Sequence, residues 1–287
     1  MKSIREGQPS RMHSGKENPM KKAWPTIIFT LFFLIGLSLM LYPAVSNWWN
    51  SLHASRAIVD YDAARKNLTE EDYAEIFAAA ERYNADLAQI DFPLMYHDQV
   101  PGYEEALNVD GSGIMGYITI AKIGVRLPIY HGTSEGVLQK AVGHLTGSSL
   151  PTGGEGNHCV LSAHRGLPSA KLFTDLDQMK PGDRFTLTIL NRELIYEVDQ
   201  ILIVEPQEVE ELYPVAGEDY CTLITCTPYG VNSHRMLVRG HRVAAEDAPQ
   251  VVTEDAVRLS PRTVALFLAL PMAVPVLILH RRKVRRL

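Results

Sequence analysis

The sequence predicts a mainly β protein: one β-barrel or sandwich, preceded by a helical hairpin and flanked by two transmembrane helices. Three observations lead to this prediction. Two long uncharged apolar runs, 27–45 and 264–279, lie near the ends of the 287-residue chain. Helical periodicity follows the first run, and from Met115 onward apolar and polar residues alternate between turns rich in Gly and Pro.

The charge is distributed unevenly, although the net charge is only −5. Residues 1–25 hold six basic and two acidic residues, and residues 281–287 hold five basic residues and no acid. The rest of the chain carries 17 basic and 31 acidic residues. A nucleic-acid partner is therefore not expected.

The first apolar run predicts a transmembrane helix at 26–48, because it is long enough to cross the hydrocarbon core of a bilayer. Trp48 and Trp49 suit the interfacial aromatic belt, and the absence of a prompt small-residue cleavage site favours retention over removal as a signal peptide. The second run predicts a helix at 263–280 that is shorter and contains prolines, so that spanning requires tilt or local thinning of the bilayer.

The basic segments 1–25 and 281–287 lie outside the two runs, which predicts by the positive-inside rule that both termini are cytoplasmic. The middle of the chain is then extracytoplasmic.

The region 49–89 is predicted to be helical. A helix rich in Ala and charge runs over Ser51–Lys66, and Asn67 interrupts it. Thr69 then has the character of an N-cap, with Asp72 in the place of the usual Glu of a capping box. The second helix has one apolar face, formed by Tyr73, Ile76, Phe77, Ala80, Tyr83 and Leu87. A helical hairpin packed on the following domain is expected.

Segment 90–112 is irregular, contains Pro93 and Pro101, and is predicted to lie over a cleft as a lid. The domain at 113–244 consists of short alternating runs with turn residues between them, and 245–262 is an acidic linker back to the membrane. The strand-like runs are Met115–Ile120, Val125–Tyr130, Asn157–Ala163, Arg184–Leu190, Leu194–Val204, Tyr220–Cys226 and Arg235–Val243.

The candidate nucleophile is Cys226, which ends one strand, while Arg235 opens the next after a turn rich in Pro, Gly and Asn. A thiol at a strand end is rigidly held and faces loops, which suits nucleophilic chemistry, although a lone Cys is more often a buried structural residue. Cys221 lies five residues before Cys226 and should point to the opposite face, so the two are not expected to pair.

A thiol nucleophile needs an imidazole near it and a donor for the developing oxyanion. Among ten histidines, His164 stands at a strand-to-loop junction, as Cys226 does. Cys159, five residues before His164, should face the other way and serve packing. The cysteines and histidines lack metal-ligand spacing such as a paired CxxC, so neither a metal nor another cofactor is expected.

These residues lie in segments that closely resemble the sortases, and among them the class C, pilin-polymerising group. The segments are TLITCTPYGVNSHRMLVRG, LSAHRGLPSAKLFTDLD, GYITIAKIGVRLPIYHGTSE and GHLTGSSLPTGGEGNHCVLSAHRG, in family order over 115–243. The resemblance implies an eight-stranded sortase-type β-barrel, tethered to the membrane of a Gram-positive bacterium with its catalytic face outside.

By this resemblance Cys226 is the nucleophile, His164 the family histidine and Arg235 the arginine that assists it, with Arg239 as the rival. Thr225 is expected to shape the substrate cleft. The implied reaction cleaves an LPxTG-like sorting signal of a pilin between Thr and Gly and joins the Thr to a lysine of the next pilin. The implied partners are these pilins and the lipid bilayer.

The lid departs from the family pattern, in which class C members commonly carry an Asp-Pro-aromatic motif. The segment offers Asp91, Phe92 and Asp98 as lid residues, but not that motif.

Three alternatives remain beside the pilin polymerase. One is a housekeeping sortase that anchors surface proteins to the cell wall, and another is a non-enzymatic, membrane-anchored pilus-assembly protein. The non-enzymatic protein would need a sorting signal before the second apolar run, and the residues at 259–263 do not supply one. A papain-like hydrolase fits less well, because its cysteine precedes its histidine, whereas His164 precedes Cys226.

Overall fold

The computed structural model describes residues 19–244. The predicted linker at 245–262, the second transmembrane helix at 263–280 and the basic tail at 281–287 lie outside the described residues, as does most of the basic N-terminus.

Helix α1, Pro19–Arg65, runs without a break through the first apolar run and through the predicted helix at Ser51–Lys66. Residues Thr26–Arg65 have the length and composition of a membrane span, with a mean hydropathy of 2.2 in their most apolar window, none of which is buried inside the protein. A signal sequence shares these properties. The C-terminal part of α1 contacts the first two strands, β1 (Ile114–Ile120) and β2 (Val125–His131), where the Tyr61 hydroxyl donates to Met115 O at 2.9 Å.

Helix α2, Glu70–Leu87, begins at the predicted capping box. The Thr69 Oγ1 atom accepts from the Asp72 backbone N–H at 3.2 Å, and the Asp72 carboxylate accepts from the Thr69 N–H at 2.7 Å. These two bonds satisfy orphan donors at the start of the helix. The buried face of α2 packs into the main core, so the second predicted helix is confirmed together with its cap.

The eight strands close into a barrel in the order β1-β2-β3-β4-β7-β8-β6-β5, which confirms the predicted eight-stranded fold. They are β1 Ile114–Ile120, β2 Val125–His131, β3 Val142–His144, β4 Asn157–Ser162, β5 Arg184–Ile189, β6 Arg192–Val204, β7 Asp219–Thr227 and β8 His234–Val243. Strand β3 was absent from the runs read in the sequence, because three residues are too short to show alternation. Its pairing with β2, and that of β4 with β7, is parallel, and the other pairings are antiparallel.

The two faces of β7 pack into different apolar clusters. Cys221 and Leu223 point into the main core, which fills the barrel interior and extends beneath α1 and α2. The alternate residue Ile224 belongs to a second cluster on the other face. We call this second cluster the outer apolar cluster, and its buried members are Val160, Leu212, Ile224 and Leu237.

Candidate active site

Cys226 and Arg235 lie directly opposite each other on the antiparallel strands β7 and β8. Residues paired in this way place their side chains on the same face of the sheet. Cys226 is partly exposed, whereas Cys221 on the opposite face is fully buried. The local sequence is sufficient for this arrangement, because the strand, the turn and the next strand are contiguous in the chain.

His164 reaches the same edge through a parallel pairing. In the β4–β7 ladder Ser162 lies opposite Ile224, and the Ala163 N–H continues the pairing by donating to Ile224 O at 3.2 Å. His164 lies two residues beyond Ser162, and Cys226 lies two residues beyond Ile224 on the neighbouring strand. The topology therefore brings the histidine level with the thiol, although the two are far apart in sequence.

The His164 Nε2 atom is shielded from solvent and has no hydrogen-bond partner within residues 19–244. The nearest carboxylate oxygen, Glu135 Oε2 on helix α4 (Glu135–Leu138), lies 3.6 Å from it, which is beyond hydrogen-bond range. The pKa of the Glu135 carboxyl lies below its ordinary value, first because Gln139 donates to it and then because of its interaction with the His164 imidazole, with desolvation opposing both. This buried ring nitrogen is thus left without a hydrogen-bond partner among the described residues.

Thr225 is 1% exposed, and its hydroxyl donates to Ala163 O at 2.8 Å. The bond ties β7 to the residue immediately before His164, so Thr225 is a positioning residue for the imidazole. A direct contact of Thr225 with substrate stays a prediction.

The β7–β8 turn and the turn after His164 pack on each other. The ring of Tyr229 lies so close to Gly166 that a Cβ atom there would be 2.9 Å from the ring. The guanidinium of Arg165 is 6.0 Å from the centre of the same ring, and it also forms an ion pair with Asp177. Tyr229 therefore connects the turn after Cys226 to the turn after His164.

The two candidate arginines have different surroundings. The Arg235 Nη1 atom donates only to the carbonyl oxygens of Asn232 and His234, at 3.2 and 3.0 Å, and Arg235 forms no ion pair within the described part of the chain. Arg239 binds Asp199 with two hydrogen bonds of 3.1 and 2.9 Å, and lies about 13 Å further along β8. Of the two arginines, Arg235 is the one that lies opposite Cys226.

The outer apolar cluster leads directly to these residues. Ile224 and Leu237 are opposite each other on β7 and β8, one pair of same-face residues before Cys226 and Arg235. The four buried members of the cluster are 0–8% exposed, so they pack next to this edge rather than line an open surface.

The predicted lid segment lies at this cluster. It contains helix α3, Pro93–Tyr96, followed by a single 3₁₀ turn, and Leu94 packs against the outer apolar cluster. A Cβ atom on Gly147 would lie 2.5 Å from Pro93 O, so the two backbones are in direct contact.

The lid residues proposed from sequence, Asp91, Phe92 and Asp98, are exposed, Phe92 to 63%. An anchoring role for these three stays a prediction. The sequence prediction did not include Leu94, because nothing local distinguishes it from the other apolar residues of the segment.

Residues 19–244 contain no cluster of three or more His, Cys, Asp or Glu side chains that could hold a metal ion.

Comparisons with known proteins identify the family of the chain. The sortase domain model matches residues 118–243. Sortase A of Bacillus anthracis is 30% identical over 148 residues, which is 51% of this chain and 69% of that protein. The chain belongs to the sortase family. The match spans 63% of sortase D of Bacillus subtilis and 47% of sortase A of Streptococcus agalactiae, at 30% and 31% identity.

Solved structures place this sortase beside class C members. The crystal structure of sortase C1 from Streptococcus agalactiae is 50% identical, with a TM-score of 0.62, over 66% of this chain and 98% of that one. Sortase C of Streptococcus pneumoniae is 43% identical, with a TM-score of 0.60, over 66% and 97%. Sortase C of Clostridium perfringens, solved with the C-terminal cell wall sorting motif, is 44% identical, with a TM-score of 0.59, over 67% and 100%.

Proposed function

We propose that this sortase is a cysteine transpeptidase that polymerises pilins. The observation that carries the proposal is the meeting of Cys226, Arg235 and His164 at one edge of the barrel, next to the outer apolar cluster. The similarity to sortases C, one of them solved with a sorting motif, supports the choice of a C-terminal sorting signal as substrate.

In the first half-reaction the Cys226 thiolate attacks the Thr–Gly carbonyl carbon of an LPxTG-like signal. Arg235 donates to the oxygen on which negative charge develops. As the C–N bond breaks, His164 gives a proton from Nε2 to the departing amine, which would otherwise be a poor leaving group. The products are a Cys226 thioester and a peptide with a free glycine amine.

In the second half-reaction a lysine amine of the next pilin attacks the thioester carbonyl carbon. His164, now neutral, takes the proton that the amine loses, and the C–S bond breaks to return Cys226 as thiolate. The product is an isopeptide bond, and both side chains are restored to their starting protonation states.

The same proposal includes the topology. Helix α1 and the second apolar run, 264–279, span the bilayer of a Gram-positive cell, both termini are cytoplasmic, and the barrel faces outward. The length and composition of Thr26–Arg65 and the basic segments at the chain ends support this arrangement.

The test uses the full chain in membrane vesicles with a pilin that carries its own sorting signal. Denaturing gels and intact mass should show a covalent ladder linked through a pilin lysine. A Cys226 thioester that only glycine peptides resolve would instead indicate a cell-wall-anchoring sortase. A wild-type chain that never forms an adduct would contradict an enzymatic role.

The two arginines provide a matched pair of variants. Arg235→Gln is expected to lower kcat/KM for thioester formation about 100-fold to 1,000-fold, because one preorganised oxyanion donor is lost. Arg239→Gln also removes one guanidinium from β8, but it leaves turnover within about twofold and lowers only thermal stability. Equal losses of turnover in both variants, measured with the same signal peptide, would contradict the assignment.

The same proposal includes segment 90–112 as a lid over Cys226. The variant Leu94→Ala tests this lid, and Met95→Ala at the exposed neighbouring position is the control. Loss of the partly buried Leu94 contact destabilises the closed lid by about 1 kcal/mol relative to the open lid. The alkylation rate of Cys226 by a maleimide should therefore rise about fivefold. Met95→Ala should leave that rate unchanged. No acceleration in Leu94→Ala would show that this contact does not restrict access to the thiol.

A further inference from the structure

The two cysteines that the proposed mechanism leaves unused face each other inside the barrel. Cys159 on β4 and Cys221 on β7 are directly opposite in the parallel ladder. They are 2% and 0% exposed, and both belong to the main core. Adjacent strands lie about 4.8 Å apart, which falls within the range of Cα separations, about 4.4–6.8 Å, that a disulfide bridges.

The two side chains interact with each other in their present thiol form. Burial raises the pKa of Cys221 well above its ordinary value, and the hydrogen bond with Cys159 raises it further. Burial also acts to raise the pKa of Cys159, but hydrogen bonds with Cys221 and His144 outweigh it and lower the pKa to about 6. In the folded barrel Cys159 is therefore the more acidic thiol of the pair.

His144 on the neighbouring strand β3 supplies the polar environment for Cys159. Its imidazole is completely buried, with Nδ1 2.9 Å from the Tyr103 hydroxyl and Nε2 2.9 Å from Ser149 O. The ring is therefore fixed in position beside the thiol.

We propose that Cys159 and Cys221 form a structural disulfide within the barrel, which leaves Cys226 as the single free thiol of the chain. Cys226 cannot join the pair, because it faces the other side of β7 and lies at the end of the strand. The chain has three cysteines, so one bridge leaves one thiol, and that thiol is the proposed nucleophile.

The oxidant is a protein or small-molecule disulfide of the extracytoplasmic space, and the step uses the topology proposed above. The Cys159 thiolate attacks the donor disulfide and releases one donor thiolate. Cys221, on losing its proton, attacks the Cys159 sulfur and expels the second donor sulfur. The cysteines lose two electrons, and the donor takes up two electrons and the two protons. Because both thiols are buried in the finished barrel, oxidation takes place while the chain folds.

The test counts thiols in the full chain exported by a Gram-positive host. Cells are quenched in acid, free thiols are blocked with N-ethylmaleimide in denaturant, and the protein is then reduced and treated with iodoacetamide before peptide mapping. We expect N-ethylmaleimide to have modified Cys226, and iodoacetamide to have modified Cys159 and Cys221. Maleimide on all three, or a bridge that includes Cys226, would overturn the proposal.

A stability measurement separates a true bridge from slow blocking of buried thiols. A reductant should lower the Tm of the wild type by about 10 °C. It should have no effect on the double variant Cys159→Ala/Cys221→Ala. A wild-type Tm that is insensitive to reductant would also overturn the proposal. Neither readout depends on a sorting signal or a pilin, so failure here is distinguishable from failure of the proposed transpeptidase.

Discussion

Replacing Cys226 by alanine is expected to abolish thioester formation and pilin polymerisation, with a loss of at least about 10⁴-fold in turnover. The covalent intermediate requires the sulfur, and the described residues near this edge offer no second thiol on the same face: Cys221 points into the core, and Cys159 lies opposite it. Intact mass of the chain after incubation with a sorting-signal peptide measures the adduct directly.

The matched control for this variant is Cys159→Ala/Cys221→Ala, which retains Cys226 and should still form the adduct. The Cys226→Ala variant should keep the wild-type Tm, because its side chain is partly exposed and at the end of a strand. An adduct that persists in Cys226→Ala would refute the assignment of the nucleophile.

Replacing His164 by glutamine is expected to lower kcat about 1,000-fold for an amide substrate, because the departing amine then lacks its proton donor. The control is His241→Gln, a histidine near the far end of β8 and opposite Tyr220. This variant should keep nearly full activity.

The role of His164 as an acid also predicts that the effect of His164→Gln depends on the leaving group of the substrate. An ester in place of the Thr–Gly amide has a leaving group that depends less on protonation, so the loss for His164→Gln should shrink to about tenfold. Equal losses for ester and amide would mean that the imidazole serves only to hold the site together. Single-turnover kinetics with both substrates distinguishes these results.

Much of the site was accessible from sequence, because its signals are local. The Cys226–Arg235 pair follows from two strands and the turn that joins them, so their opposition is a property of one hairpin. The capping box at Thr69 and the apolar run of α1 are likewise contiguous signals, and the structure describes both. His164 was selected by its junction and by family resemblance, not by any distance that the sequence contains.

Only the tertiary structure decided how separate strands meet. Parallel pairing joins β4 to β7 across a long stretch of chain, and no local periodicity encodes its register. That register sets His164 level with Cys226, and it also sets Cys159 opposite Cys221, a relation that reading each cysteine alone did not reveal.

The same holds for Leu94 and Arg239. In the sequence Leu94 is one of several apolar residues in an irregular segment, and only the structure shows that it packs against the outer apolar cluster. Likewise, only the structure shows that Arg239 is paired with Asp199 on β6. By itself the sequence determined seven of the eight described strands, the turn between β7 and β8, and the residue types that the chemistry needs. Which of those residues became neighbours was decided by strand pairing between distant segments, since alternation along a strand gives the face of a side chain and not its partner.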